Sequence, residues 1–131
     1  MSKKWLIDTD VLIDYLKGVS QAIEFLDKII ERTTCYLSVI TVAELYAGIR
    51  EGKEKQLFEN FLRVFEVIPI DENLARIGGL YRREYGKTHG VGLADAMIAA
   101  TVEELDLRLV TLNKKHFPML KDIMVPYSKS N

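Results

Sequence analysis

Acidic side chains interrupt apolar stretches of this 131-residue chain at widely separated points. Asp8 and Asp10 stand in "LIDTDVLIDYL", Glu44 in "TVAELYAGIR" and Asp95 in "GLADAMIAA". A carboxylate beside an apolar core is costly unless a partner compensates its charge. Carboxylate oxygens suit a hard cation such as Mg²⁺ or Mn²⁺, whereas zinc favours histidine or thiolate. Of these acids, Asp8, Glu44 and Asp95 are therefore candidate ligands of such a cation.

The segments between these acids predict the elements that position them. Short apolar runs alternate with longer amphipathic segments, which is typical of βαβ units and a mainly parallel sheet. Strands are predicted in "WLID", "TCYLSVI", "VIPI", "LRLVTL" and "IMVPY", and Pro69 indicates that the third lies at an edge or ends there. Helices are predicted after Asp8 up to Gly18, over 21–32, from Thr41, over 53–67, after an Asp71 cap, and from about Leu93.

This order of elements brings three of the acids to one place. Asp8 ends the first strand, Glu44 lies in the first turn after the second, and Asp95 opens a later helix. In a parallel α/β sheet the carboxyl ends of the strands and the following helix N-termini gather at one edge, where ligands bind. We therefore expect Asp8, Glu44 and Asp95 to lie close together.

Each acid also has a purely structural explanation. Asp10 stands where a helix N-cap belongs, which we favour for it, and Asp14 is expected to be a solvated helix position. Glu44 follows Thr41 with the spacing of a capping box, which explains it as well as a ligand role does. Asp95 would complement a helix dipole. The joint placement of the three acids, rather than any single one, predicts a site.

The segment "LVTLNKKHF" adds polar residues directly after a strand. Asn113 would supply a carbonyl ligand or orient a water, although a helix cap explains it slightly better. Thr111 and His116 flank it as candidate substrate contacts, and a surface histidine is the commoner case. Lys114 and Lys115 would lie beside the acids and neutralise phosphates of a single-stranded substrate. The remaining basic groups are expected to be solvated faces: Arg50, Lys53 and Lys55, and Arg82, Arg83 and Lys87.

Composition narrows the class of protein. A chain of 131 residues with 48% hydrophobic content fits a single domain, residues 1–131, and the net charge of −1 gives no basic surplus. Cys35 is the only cysteine, which excludes a disulfide framework and a multi-thiolate zinc site. No apolar run approaches the roughly 20 residues of a membrane-spanning helix, so we expect a cytoplasmic protein without a membrane partner.

Four motifs together resemble a known family: "LIDTDVLIDYLKG", "SVITVAELYAGIR", "GLADAMIAATV" and "LVTLNKKHF". In this order and spacing they resemble the PIN-domain ribonucleases, most closely the VapC toxins of prokaryotic toxin–antitoxin pairs. The resemblance implies a three-layer α/β/α sandwich on a mainly parallel sheet. It also implies that Asp8, Glu44 and Asp95 hold Mg²⁺ or Mn²⁺ for the hydrolysis of RNA, often transfer RNA, by a metal-activated water.

The same resemblance implies a homodimer and a cognate antitoxin that inserts a segment into the acidic groove. Many relatives carry another acid in the last motif, where this chain has Asn113 and His116. We therefore count Asn113 as the fourth catalytic candidate and expect one firmly bound metal ion.

Two alternative functions stay open. The first is a PIN-like module that binds RNA or protein without cleavage, since the acid of the last motif is missing. The second is a haloacid-dehalogenase-like phosphatase. In that case the motif "IDTD" would supply Asp8 as the nucleophile and Asp10 as the acid. That family usually has Gly-Thr after the second aspartate, where Val11 and Leu12 stand here.

Overall fold

Five parallel strands form the central sheet of the computed structural model, which describes residues 4–128. The strands are β1 (Trp5–Ile7), β2 (Cys35–Ser38), β3 (Glu66–Ile68), β4 (Arg108–Val110) and β5 (Ile123–Met124). Their order across the sheet is β3-β2-β1-β4-β5, and Leu6 of β1 pairs with Tyr36 on one side and Leu109 on the other. The predicted edge position of the strand before Pro69 is confirmed.

Helices cover both faces of this sheet. They are α1 (Thr9–Leu16), α2 (Ser20–Arg32), α3 (Val39–Gly48), α4 (Lys53–Leu62), α5 (Glu72–His89) and α6 (Leu93–Glu104), and a 3₁₀ turn spans Lys114–His116. Successive strand residues point to opposite faces. Ile7 and Val110 accordingly pack with α1 to α4, whereas Leu6 and Leu109 pack with α6. The predicted three-layer α/β/α architecture is confirmed.

Several element boundaries differ from the sequence prediction, three of them at helices near the site or the sheet. Helix α1 begins at Thr9, one residue after its N-cap Asp8, so the predicted N-cap role of Asp10 is wrong. Helix α3 begins at Val39 with Ser38 as its N-cap, because the Ser38 hydroxyl accepts a hydrogen bond from the backbone N–H of Ile40. Helix α4 ends at Leu62 and not at the predicted Val67. The chain turns after Leu62 and enters β3 at Glu66.

The long helix α5 begins as the sequence predicts. The Asp71 carboxylate accepts a hydrogen bond from the backbone N–H of Leu74 at 2.9 Å. The Gly78-Gly79 pair lies within this helix, and Gly78 faces α6 so closely that an added Cβ would stand 2.9 Å from Cγ of Met97. The glycine therefore sets the distance between α5 and α6.

Between residues 4 and 128, none of the helices is long and apolar enough to cross a membrane. Cys35 is buried in β2, and burial raises the pKa of its thiol to about 11. The predicted domain range of 1–131 includes residues 1–3 and 129–131, which lie outside the described residues.

Candidate active site at the carboxyl edge of the sheet

Asp8 occupies the junction between β1 and α1. Its backbone N–H still bonds the carbonyl of Val110 in β4 at 2.9 Å, while its carboxylate caps α1 by accepting from the N–H of Thr9 at 2.8 Å. The second carboxylate oxygen accepts from the Thr111 hydroxyl at 2.7 Å. Asp8 is only 5% exposed, so these donors fix a buried carboxyl group at the sheet edge.

The electrostatic environment of Asp8 is unfavourable for a bare carboxylate. Burial is the largest cause and repulsion from Asp10 the next, and together with Asp95 they raise the pKa of Asp8 to about 7. The hydrogen bonds from Thr111 and Thr9 oppose this shift without cancelling it. A proton or a cation at this place would relieve the uncompensated charge.

Asp10 lies in the first turn of α1 and reaches across to the segment after β4. Its Oδ2 accepts hydrogen bonds from the backbone N–H of Leu112 and from Nδ2 of Asn113, each at 3.0 Å. Its Oδ1 is buried and has no hydrogen-bond partner within residues 4–128. Burial, which is the largest cause, raises the pKa of Asp10 despite the hydrogen bond from Leu112. Asp10 therefore belongs to the acidic cluster.

Glu44 comes to the cluster on the exposed side of α3. Its Oε1 accepts a hydrogen bond from the Thr9 hydroxyl at 2.7 Å, and that hydroxyl lies 3.0 Å from the hydroxyl of Thr41. The predicted capping box of Thr41 and Glu44 is wrong, because the cap of α3 is Ser38. Thr9 instead connects α1 to α3 and orients the Glu44 carboxylate.

Asp95 stands in the first turn of α6 with 30% of its side chain exposed. Its Oδ2 lies 3.5 Å from Nδ1 of His116, which draws the predicted surface histidine into the cluster. Burial is the largest cause that raises the pKa of Asp95, and repulsion from Glu44 and Asp10 adds to it, while His116 lowers it. The carboxyl groups of α1, α3 and α6 thus act on one another.

The last motif divides into a buried and an exposed part. Thr111 is fully buried, and its hydroxyl donates to Asp8 and accepts from the N–H of Asn113 at 3.1 Å. It supports the carboxylate from behind, and its burial argues against the predicted substrate contact. Asn113 is exposed and binds Asp10 through its side chain, which makes no capping hydrogen bond to the 3₁₀ turn. Lys114 and Lys115 are exposed next to it.

Sequence reasoning missed several members of this network. Asp14 was expected to be solvated, yet it is 4% exposed and accepts a hydrogen bond from the Tyr127 hydroxyl at 2.9 Å. The apolar residues on both sides of it in "LIDTDVLIDYL" are a signal of burial that was available. Thr9 was missed and Asp10 was given a capping role because their partners lie 35 and 102 residues away in the chain.

The donor set fits a hard divalent cation by its chemistry. The acids offer only carboxylate oxygens, their repulsion would be relieved by positive charge, and Oδ1 of Asp10 has no hydrogen-bond partner among residues 4–128. Among residues 4–128, no three His, Cys, Asp or Glu side chains are assembled at ligating distance. Mg²⁺ commonly binds one or two carboxylates and keeps several waters, so it does not require such a triplet.

Comparison with known proteins places this arrangement in a family. The model of the PIN domain matches residues 5–121. The chain belongs to the PIN domain family. This PIN domain is 38% identical to ribonuclease VapC10 of Mycobacterium tuberculosis over 124 residues, which are 94% of this chain and 92% of the relative. It is 35% identical to toxin FitB of Neisseria gonorrhoeae, over 86% of this chain and 89% of the relative.

Solved structures agree with this family. A toxin–antitoxin complex from Klebsiella pneumoniae contains a chain with a TM-score of 0.81 and 28% identity, covering 96% of this chain and all of the other. FitAcB from Neisseria gonorrhoeae contains one with a TM-score of 0.72 and 33% identity, covering 93% of this chain and 97% of the other. The predicted resemblance to PIN-domain VapC proteins is confirmed.

Proposed function

We propose that this PIN domain is a metal-dependent endoribonuclease and the toxin of a toxin–antitoxin pair. The observation that carries the proposal is the convergence of Asp8, Glu44 and Asp95 from three elements onto one sheet edge, with the pKa of both aspartates raised by burial and by repulsion from neighbouring carboxylates. Homology to ribonucleases of the VapC group supports the reaction class. Because RNA is its substrate, the cytoplasm is its proposed compartment.

In this proposal a different side chain orients each of the three acids. Asp8, Glu44 and Asp95 would hold Mg²⁺ or Mn²⁺, and a cation held there would activate a water for attack on the phosphodiester and stabilise charge on the phosphoryl oxygens. Thr111 fixes the Asp8 carboxylate, and Thr9 fixes that of Glu44. His116 orients Asp95 from the exposed side.

The substrate path is proposed to run over the exposed end of the last motif. Asn113 lies beside the acids, bonded to Asp10, and Lys114 and Lys115 follow it on the 3₁₀ turn. Their positive charges would neutralise phosphates of a single-stranded RNA next to the scissile bond. Transfer RNA is the proposed natural substrate class, because the resemblance to VapC toxins implies it.

The experiment that tests this function is cleavage of total transfer RNA and of a generic single-stranded RNA by the purified chain. Wild type is compared with Asp8→Asn and Asp95→Asn, in Mn²⁺, in Mg²⁺ and in EDTA. Asp14→Asn is the matched control, because it also removes a buried carboxylate from α1, and its amide oxygen still accepts from Tyr127.

We expect wild type and Asp14→Asn to cleave RNA and the two site variants not to. The activity should be lost in EDTA and restored by either metal ion. Cleavage that persists in both site variants would contradict the assignment of the acids. Full activity in EDTA would contradict the metal mechanism. The absence of cleavage in every protein would favour the non-catalytic binding module instead.

The antitoxin is proposed to bind a groove beside Glu44. This cavity of about 200 Å³ lies between α1, the end of α3 and α4, and is lined by the apolar Ile13, Leu16, Leu45 and Ile49 and by the charged Lys17, Glu44 and Glu54. A partly apolar groove of this kind accommodates an amphipathic peptide segment. Ile13→Asp, at a 37% exposed position, should weaken assembly with the co-expressed antitoxin and leave RNA cleavage by the free chain intact. Equal assembly would place the antitoxin elsewhere.

Free of antitoxin, the chain is proposed to form a homodimer. Light scattering after size-exclusion chromatography should then give twice the chain mass of 15.0 kDa. A mass of one chain at micromolar concentration would contradict this proposal without affecting the proposed reaction.

A further inference from the structure

Asp10 makes hydrogen bonds that an aspartate at the start of a helix does not require. The cap of α1 is Asp8, whereas Oδ2 of Asp10 accepts from Leu112 N–H and from Asn113 Nδ2, both at 3.0 Å. The Thr111 hydroxyl lies 3.4 Å from the same oxygen. One carboxylate oxygen in α1 thus accepts hydrogen bonds from two consecutive residues after β4, more than 100 positions away in the chain, and lies near the hydroxyl of a third.

The chemistry of the pair fixes the orientation of the Asn113 amide. An ionised carboxylate can only accept hydrogen bonds, so the NH₂ group of Asn113 must face Asp10, and Oδ1 is left as the free acceptor of the amide. Hydrogen bonds to a charged acceptor are roughly twice as strong as neutral ones. Asn113 is exposed, and without this partner its side chain would rotate between rotamers.

The pair is also connected to Asp8. The N–H of Asn113 donates to the Thr111 hydroxyl at 3.1 Å, and that hydroxyl donates to Asp8 at 2.7 Å. The exposed amide and the buried carboxylate are therefore held in one hydrogen-bonded network, and Asp10 fixes its exposed end.

We propose that Asp10 is a positioning residue, which orients the Asn113 amide so that its carbonyl oxygen is available in the active site, as a ligand or to orient a water. By the same hydrogen bonds Asp10 fixes the start of the segment that carries Lys114 to His116. The inference rests on the proposed ribonuclease function for what Asn113 does there, and on the geometry alone for how Asn113 is held. In this assignment Asp10 acts through Asn113 and Leu112.

A double-mutant cycle on kcat/KM for cleavage of a single-stranded RNA in Mn²⁺ tests the assignment. Asp10→Ala is expected to lower kcat/KM about 10- to 100-fold, as losses of supporting residues commonly do. Asp10→Asn is expected to recover most of this loss, because its amide oxygen can accept the same two bonds. Adding Asn113→Ala to Asp10→Ala should lower kcat/KM little beyond the worse single variant, because the two residues act as one unit.

A second measurement is independent of activity. The side-chain NH₂ resonances of Asn113, identified by their loss in Asn113→Ala, report its hydrogen bond in the metal-free protein by nuclear magnetic resonance. They should be shifted and slow to exchange in wild type and Asp10→Asn, and should take the values of a solvated amide in Asp10→Ala. Asp14→Ala is the matched control, because it removes another buried carboxylate of α1 and should leave these resonances unchanged.

The outcomes separate the two proposals. Multiplicative losses in the double variant, or Asp10→Asn as impaired as Asp10→Ala, would show that the Asp10 carboxylate acts by itself and would overturn the positioning role. Unchanged Asn113 resonances in Asp10→Ala would overturn it too. If wild type cleaves no RNA, the proposed function fails, while the resonances still decide whether Asp10 holds Asn113.

Discussion

The Asp8 carboxyl group makes the stability of the metal-free chain depend on pH. Its pKa is raised to about 7 in the folded chain, against an ordinary carboxyl value near 4. Between these values the folded chain holds a proton that the unfolded chain releases, so the free energy of unfolding falls as pH rises through this window. We expect the melting temperature in EDTA to be lower at pH 8 than at pH 5.

Asp8→Asn removes this titrating group and should flatten the pH dependence of the melting temperature. A smaller slope remains, because burial also raises the pKa of Asp10 and Asp95. Thermal unfolding of both proteins in EDTA from pH 5 to 8, followed by circular dichroism, checks the expectation. Identical slopes in the two proteins would show that Asp8 is not the group responsible.

The exposed lysines of the last motif are expected to dominate the salt dependence of RNA binding. Each phosphate neutralised on a single strand contributes about −0.7 to the slope of log K against log salt concentration. Replacing Lys114 and Lys115 by alanine should therefore make the slope less steep by about 1.4. Fluorescence anisotropy with a labelled single-stranded RNA measures this change, in an Asp8→Asn background that is expected to prevent cleavage.

Arg82→Ala combined with Arg83→Ala is the matched control for charge, because both arginines are exposed on α5. This control should keep the wild-type slope. The third basic group is a poorer control, since Arg50 and Lys55 form ion pairs with Glu54 and Glu51. An equal loss of slope in the α5 variant would mean that RNA binds over a different face.

Individual site residues were predictable where their signal is local in the chain. The positions of Asp8 and Asp95 at the carboxyl edge of the sheet were predictable, because each stands at a junction of elements that hydrophobic periodicity indicates. Asp10 received the wrong role because its partners, Leu112 and Asn113, become neighbours only when β1 and β4 pair. The burial of Thr111 depends on the same pairing.

The contact between α5 and α6 depends on one of two adjacent glycines. A Cβ at Gly78 would stand 2.9 Å from Cγ and 3.1 Å from Cα of Met97, whereas a Cβ at Gly79 meets nothing within 4 Å. Overpacking costs about 1–3 kcal/mol, and alanine gains about 1 kcal/mol over glycine in a helix. Gly78→Ala should therefore lower the free energy of unfolding by up to about 2 kcal/mol, and Gly79→Ala should raise it by up to about 1 kcal/mol.

Urea unfolding of the two variants measures this difference, and each is the control for the other because helix propensity changes equally. Since α6 carries Asp95, Gly78→Ala should also reduce RNA cleavage, whereas Gly79→Ala should not. Equal stabilisation by both substitutions would show that α5 and α6 separate at little cost.

Element order was predictable, whereas the packing between elements was not. The alternation of short apolar runs with amphipathic segments is a local pattern, and it indicates the strands of the sheet and the helices between them. The start of α3 was misplaced because Ser38 belongs to β2 and caps the next helix at once, so no loop residues mark the boundary. The role of Gly78 was not predictable, because its close approach to Met97 is a contact between two different helices.

On the scale of the whole molecule, metal binding and folding are expected to be linked. The cluster takes Asp8 from the β1–α1 junction, Glu44 from α3 and Asp95 from α6, so the unfolded chain has no equivalent site. A ligand that binds only the folded chain stabilises it by about 2.7 kcal/mol at 100 times its Kd. Mn²⁺ and Mg²⁺ should raise the melting temperature of wild type in a concentration-dependent manner.

The size of this metal effect should grow with pH. The pKa of Asp8 is raised to about 7, so below this pH a proton occupies its carboxyl group in the metal-free chain. A cation that binds there must displace this proton. The rise in melting temperature is therefore expected to be larger at pH 8 than at pH 6, and to be small in Asp8→Asn at both. Differential scanning fluorimetry with Mn²⁺ titrated into both proteins makes the comparison. An equal rise in Asp8→Asn would show that Asp8 does not hold the stabilising ion.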